Sequence, residues 1–180
     1  MMKRSIHLVL AASGITAMVA VSSVFSSAQP GNRSANVRAV LNGYQENPSV
    51  STTGHGLFTA RIDDRAMTVA YELTYADLEG GAATAAHIHF GGRDHNGGVS
   101  VFLCGGPLPA CPATEGTVTG LFGPEDVLGP SGQGIEAGSF EELVRAIRAG
   151  HTYVNVHTPR WPGGEIRGQL NNNSQREFDR

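Results

Sequence analysis

From residue 37 onward, apolar and polar positions alternate with period two in a series of short runs separated by glycine, proline, aspartate and asparagine. The cleanest run is Ala66 to Tyr75. There Met67, Val69, Tyr71, Leu73 and Tyr75 alternate with Thr68, Ala70, Glu72 and Thr74, the pattern of a strand with one buried and one wet face. Similar runs cover Val37 to Leu41, Gly56 to Ile62, Thr84 to Phe90, Gly98 to Cys104, Gly116 to Phe122, Thr152 to Thr158 and Glu165 to Leu170. Asp63-Asp64-Arg65 reads as a tight turn, and residues 159–164 as the turn of a closing hairpin.

One segment has helical period instead. Phe140, Leu143, Val144 and Ile147 follow i, i+3, i+4, i+7 spacing, which predicts a helix over 140–149. Ser139 and Glu142 have the spacing of a capping box, and Gly150 is placed to stop the helix in a left-handed conformation. Seven or eight short strands and one short helix predict an all-β protein, an antiparallel β-sandwich with Greek-key character.

The ends differ in composition. Lys3 and Arg4, the apolar stretch from Ile6 to Phe25 and the small residues Ser26-Ser27-Ala28 predict a secretion signal over 1–28. Residues 29–36 read as a flexible lead-in, 37–170 as the one folded domain, and 171–180 as a polar, disordered tail. Of the 13 basic residues, Lys3 and Arg4 go with the signal; the 11 that remain, all arginine, face 16 acidic residues, a net charge of −5. That balance argues against nucleic acid and anionic lipid as partners. After signal removal no apolar run is long enough to span a bilayer.

Two features carry candidate chemistry. Cys104 and Cys111, the only cysteines, form an even pair at short spacing, expected to be a disulfide in a secreted or periplasmic chain. His87 and His89 lie two apart on one strand, so both imidazoles leave the same face while Ala86, Ile88 and Phe90 face the core. In the run ending at Thr158, His151, Tyr153, Asn155 and His157 share one face, opposite Thr152, Val154 and Val156. Were these two strands neighbours, His87, His89 and His157 would converge, with His151, His95 and His55 as further candidates. Three neutral imidazoles suit copper or zinc, and ligation would weaken below roughly pH 6 as the imidazoles protonate. The competing expectation is that they are satisfied polar residues, His157 bonded to the turn at 159–164 and the others to Tyr153, Asn155, Glu165 or Arg167. Arg160 and Trp161 in that turn form a candidate contact for an extracellular protein or glycan, or a seal at one end of the sandwich. No Gly-x-Ser-x-Gly is present and the acidic residues are scattered, which argues against a hydrolase.

Three segments, taken in order, carry a family resemblance: 86–91 (Ala-His-Ile-His-Phe-Gly), 98–104 (Gly-Val-Ser-Val-Phe-Leu-Cys), and 150–158 continued by 163–170. Together they resemble the CHRD domain, the module named after chordin, over about 37–170. The resemblance implies an extracellular β-rich module and no defined activity, so the expectation is a non-catalytic binding or structural domain. In addition, His87-Ile88-His89-Phe90-Gly91 is similar to the copper-ligand strand of copper–zinc superoxide dismutases, also β-sandwiches.

Overall fold

In a computed structural model, which describes residues 35–172, the period-two runs become strands and their alternation becomes the two faces of one sheet. The strands are β1 (Ala35–Asn42), β2 (His55–Asp63), β3 (Thr68–Ala76), β4 (Ala85–Phe90), β5 (Gly98–Gly105) and β6 (Gly116–Phe122). The helix α1 (Phe140–Arg148) follows, then β7 (Thr152–His157), β8 (Ile166–Gln169) and β9 (Asn171–Asn172). The expected signal over 1–28, most of the lead-in and most of the tail lie outside the described residues. β1 begins at Ala35, two residues before the expected domain start, and Asn171 and Asn172 pair with Arg38 and Val37.

All strand pairs are antiparallel, in the order β5-β4-β7-β8-β1-β2-β3-β6, with β9 alongside β1. The path curls until its two ends nearly meet. Tyr71 on β3 donates its hydroxyl to Leu103 O on β5 at 2.9 Å, and Tyr75 donates to Pro112 O. The segment after β5 spans the seam, with Leu78 N bonded to Thr114 O and Ala83 N to Ala113 O. Cys104 and Cys111 form a disulfide within it. The all-β expectation holds, and its facing layers are two halves of one nearly closed sheet.

The core lies on the concave side. Phe58, Ile62, Leu73, Ile88, Val154, Val156, Ile166 and Leu170 are each at most 1 % exposed. Helix α1 adds Phe140, Leu143, Val144 and Ile147, the stripe read from its period, together with Ala146. Its C-terminus is a Schellman stop: Gly150 at φ +71 donates to Ile147 O, and His151 N reaches Ala146 O. The expected capping box does not form. Ser139 has ψ 64, not the extended conformation that aims a hydroxyl at the first-turn amides, and its side chain makes no cap bond. β3 also starts later than expected. Met67 sits at φ +52 in the preceding turn and is exposed, while Asp63 Oδ1 closes that turn by accepting from Arg65 N and Ala66 N.

β4 lies between β5 and β7 and pairs differently with each. Its pairing with β7 is regular, with Ala85 opposite His157, His87 opposite Asn155 and His89 opposite Tyr153. Its pairing with β5 slips twice, leaving Leu103 and Ser100 as extra residues on β5. These are β-bulges, which bend the strand and re-aim side chains. As a result Phe102, not Leu103, stands opposite His87.

Candidate metal centre

The outer face of β4, β7 and β8 is polar, yet it is buried. His87 is 9 % exposed, His89 7 %, His157 9 %, Asn155 2 % and Arg167 1 %. Loop 91–98, residue Glu46 and the 159–164 turn roof it over. Arg167 anchors the loop: its guanidinium donates to Gly92 O at 2.7 Å, His95 O at 3.1 Å and Asn96 Oδ1 at 3.1 Å. Gln169 donates to Gly91 O and Gly150 O, both at 2.9 Å. The Asn47 side chain donates to Asp94 O and the Asn96 side chain to Asn47 O, tying the loop to the segment after β1.

Beneath this roof the three imidazoles converge. His87, His89 and His157 each offer one nitrogen, and these nitrogens lie within 4.8 Å of one another. Neighbouring aromatic rings fix their planes. Tyr153 stacks on His89 at 4.9 Å and 4°, and Phe102 meets His87 edge-on at 4.4 Å. The Arg167 guanidinium covers the far side of Tyr153 at 3.4 Å.

The hydrogen bonds assign the tautomers. A carbonyl can only accept, so His89 Nδ1 donates to Gly97 O and His157 Nδ1 donates to Pro162 O, both at 2.9 Å. In neutral rings, each Nε2 then carries a lone pair. The Nε2 of His157 accepts from His87 Nδ1 at 3.0 Å. That leaves the Nε2 of His87 and the Nε2 of His89 as buried acceptors without a partner. The rings are neutral because burial makes the charged form unfavourable. His87 is lowered to about 3 by burial and then by the nearby His157 and His89. His89 is lowered to about 4, mainly by burial and further by His157 and Arg167, against the bond to Gly97 and the nearby Asn155. His157 is also lowered by burial, against the bond to Pro162.

Ring N–H donation to a backbone carbonyl, with the other nitrogen turned inward, is the arrangement that orients metal-ligating histidines. A tetrahedral ion with bonds of about 2.0 Å needs ligand nitrogens about 3.3 Å apart. The 3.0 Å between His87 Nδ1 and His157 Nε2 is spanned by a proton, so ligation requires His87 to give up that proton or to turn its free Nε2 toward the ion, and the three nitrogens, within 4.8 Å, to draw together.

Other sequence candidates lie elsewhere. His151, His95 and His55 are exposed and do not join the cluster; His95 contributes only its carbonyl, to Arg167. His55 faces Asp77 at 3.7 Å. Glu165, a suggested partner for the histidines, serves another part of the fold. Fully buried, it accepts from Thr52 Oγ1, Glu79 N and Gly80 N. His157 does bond the 159–164 turn, as expected. Arg160 covers the Trp161 ring at 4.6 Å, and Trp161 is half-buried against Gly80.

Sequence reading missed Glu46. It is 6 % exposed, its Oε1 has no hydrogen-bond donor, and burial raises it to about 7, against the nearby Arg167 and Asn155. Its carboxyl group lies where a Cβ on residue 164 would sit, so Gly164, at φ +130, makes room for it. Nothing local at Gln45-Glu46-Asn47-Pro48 marks a buried acid. The roofing role of Arg167 did leave a signal: Arg167 and Gln169 alternate with buried Ile166 and Leu170 on a strand with no free face.

The family model for the CHRD domain matches residues 37–170. No curated protein and no solved structure matches the chain.

Proposed function

The chain belongs to the CHRD domain family, and from that premise we propose that it is a secreted or periplasmic, non-catalytic module whose polar outer face holds one copper or zinc ion through His87, His89 and His157. One observation carries the metal reading: two inward-facing imidazole nitrogens are buried without donors, beside a third that meets only a neighbouring ring. Buried polar groups are almost always bonded, so two orphans on adjacent rings favour an outside partner, and a cation that displaces the proton between His87 and His157 is one that the three imidazoles can share. The leader-like segment at 1–28, the disulfide and the occurrence of CHRD domains in extracellular proteins support export.

Elemental analysis of the purified protein tests this reading beside a His87→Ala/His89→Ala variant. About one copper or zinc per chain, lost in the variant, is the expected result. Metal-free protein that also takes up neither ion at micromolar concentration and pH 7.5 would exclude it.

A second reading concerns the Arg160–Trp161 pair as a contact for an extracellular protein or glycan. Its support is an exposed guanidinium stacked on an indole at the sheet end. Substituting Arg160 by Ala would abolish capture of such a partner while leaving metal content unchanged.

A further inference from the structure

We infer that the three-histidine centre is built for a monovalent cuprous ion and discriminates against divalent ones. The inference rests on the metal reading above and adds the charge of the ion to it.

The donor set is uncharged. Among the described residues, the cluster contains three imidazoles and no carboxylate. Both cysteines are tied up in the disulfide on the seam, so no thiolate is on hand. An ion bound here keeps its full charge in a site whose ligands are each less than 10 % exposed. The penalty for burying a charge grows with its square, so for a dication it is about four times that for a monocation. Sites that bury Zn²⁺ or Cu²⁺ ordinarily offset this with thiolate, carboxylate or a bound hydroxide.

The surroundings add to the bias. The buried cation nearest in the ring stack is Arg167, whose guanidinium lies on Tyr153, which lies flat on His89. Its field opposes a dication twice as strongly as a monocation. Glu46 is the acid that could offset it, but its unpaired oxygen lies over Gly164 and Asn155 and it belongs to no metal-ligating group. Phe102 edge-on and Tyr153 flat offer no ligand from their faces, and the buried, unpartnered Oδ1 of Asn155 beside His89 adds only a neutral oxygen. A cuprous ion, with a single charge, is satisfied by three neutral imidazoles, whereas zinc takes a fourth ligand.

The test uses the purified full chain and three ions measured separately. Cu⁺ is measured under anaerobic reducing conditions by competition with bicinchoninate, and Zn²⁺ and Cu²⁺ by competition with chromophoric chelators. The expected result is one Cu⁺ per chain, bound at least tenfold more tightly than either dication. A smaller preference, or tighter binding of a dication, overturns the cuprous inference and leaves the histidine centre standing. Binding of none of the three ions overturns both. An Asn155→Asp variant, its fold checked by thermal unfolding, adds a carboxylate beside the site without changing shape. It should narrow the gap between Cu⁺ and Zn²⁺ roughly tenfold or more. An unchanged gap in a folded variant would show that uncompensated charge is not what selects the ion.

Discussion

His87 Nδ1 lies 3.0 Å from His157 Nε2, so a single proton is shared by imidazoles on two neighbouring strands. An ion ligated by the Nε2 of His157 takes the place of that proton. Removing His157 therefore has two expected effects. His157→Ala leaves the His87 N–H and the Pro162 carbonyl without their partner, which lowers metal-free stability by about 1–3 kcal/mol. It also abolishes the rise in melting temperature that added metal gives the wild type, a rise corresponding to about 2.7 kcal/mol when metal is at 100 times its dissociation constant. Thermal scans with and without Zn²⁺ or Cu⁺ read both effects. A variant still stabilised by metal would place the ion elsewhere.

Metal affinity should be almost independent of pH between 7.5 and about 5. The sequence alone predicts ligation that weakens below roughly pH 6, as imidazoles protonate. Here burial lowers His87 to about 3 and His89 to about 4, and it lowers His157 as well, so no proton competes for the lone pairs until the solution is more acidic. Chelator competition at pH 7.5, 6.5 and 5.5 checks this. A tenfold loss of affinity per pH unit below 6.5 would show that the rings are charged in the metal-free protein.

Without metal, stability should fall with acid. Below about pH 6.5 the unfolded chain gains protons on His87 and His89, which stay neutral in the fold, so their contribution is full above 6.5 and is lost as pH drops toward 4 and 3; His157, also lowered by burial, acts in the same direction. Glu46 works in the opposite direction. Raised to about 7, it keeps its proton in the fold while the unfolded carboxyl loses one near 4.5, so its contribution is lost as pH rises from 4.5 to 7. Between 6.5 and 4.5 the protons of His87 and His89 oppose the one on Glu46, a net slope of up to about 1.4 kcal/mol per pH unit, to which His157 adds in the same direction. Urea titrations across this range should show it in the wild type and a steeper slope in Glu46→Gln. A flat wild-type profile would contradict the neutral-imidazole assignment.

Arg167→Met should destabilise the fold by about 3–5 kcal/mol. It removes a buried guanidinium that holds loop 91–98 through three hydrogen bonds and covers Tyr153. Arg167→Lys should recover only part of this, because an ammonium keeps the charge but loses the planar fork. Hydrogen exchange of the 91–98 amides separates a local from a global effect: faster exchange is expected there before it appears in β2 or β3.

Replacing Cys104 and Cys111 together by Ala should lower stability by about 2.5 kcal/mol, the chain-entropy value for so short a loop. Metal binding should be untouched, since the disulfide lies on the seam and the histidines lie on the far side of β4. Loss of metal in a folded double variant would reveal a link between the two through the bulged β5.

Much of the fold was legible because alternation is a local signal. Val69, Tyr71, Leu73 and Tyr75 each follow from period two, and the stripe of α1 follows from period 3.6. The boundaries were less legible where one residue's backbone decides the outcome, as at Met67 and Ser139. For the site, the shared face of His87 and His89 follows from strand geometry, and the nearness of His157 required only that β4 and β7 be neighbours. Its burial could not be read. A polar face reads as wet unless something covers it, and the cover here comes from Glu46, Gly97 and Pro162, residues in loops whose positions are set by tertiary bonds to Arg167, Asn47 and His157.

The pairing of β4 with β7 also sets the order in which the protein can be made. Two of the ligands emerge almost together, but the third follows His87 by 70 positions, after β5, β6 and the helix have been laid down. A growing chain thus carries two of the three histidines alone while β5, β6, the helix and most of β7 are made. The three-point grip exists only once the last hairpin has closed onto β4. An ion held as proposed would therefore be received by a finished fold, and a chain exported before folding would meet it on the far side of the membrane.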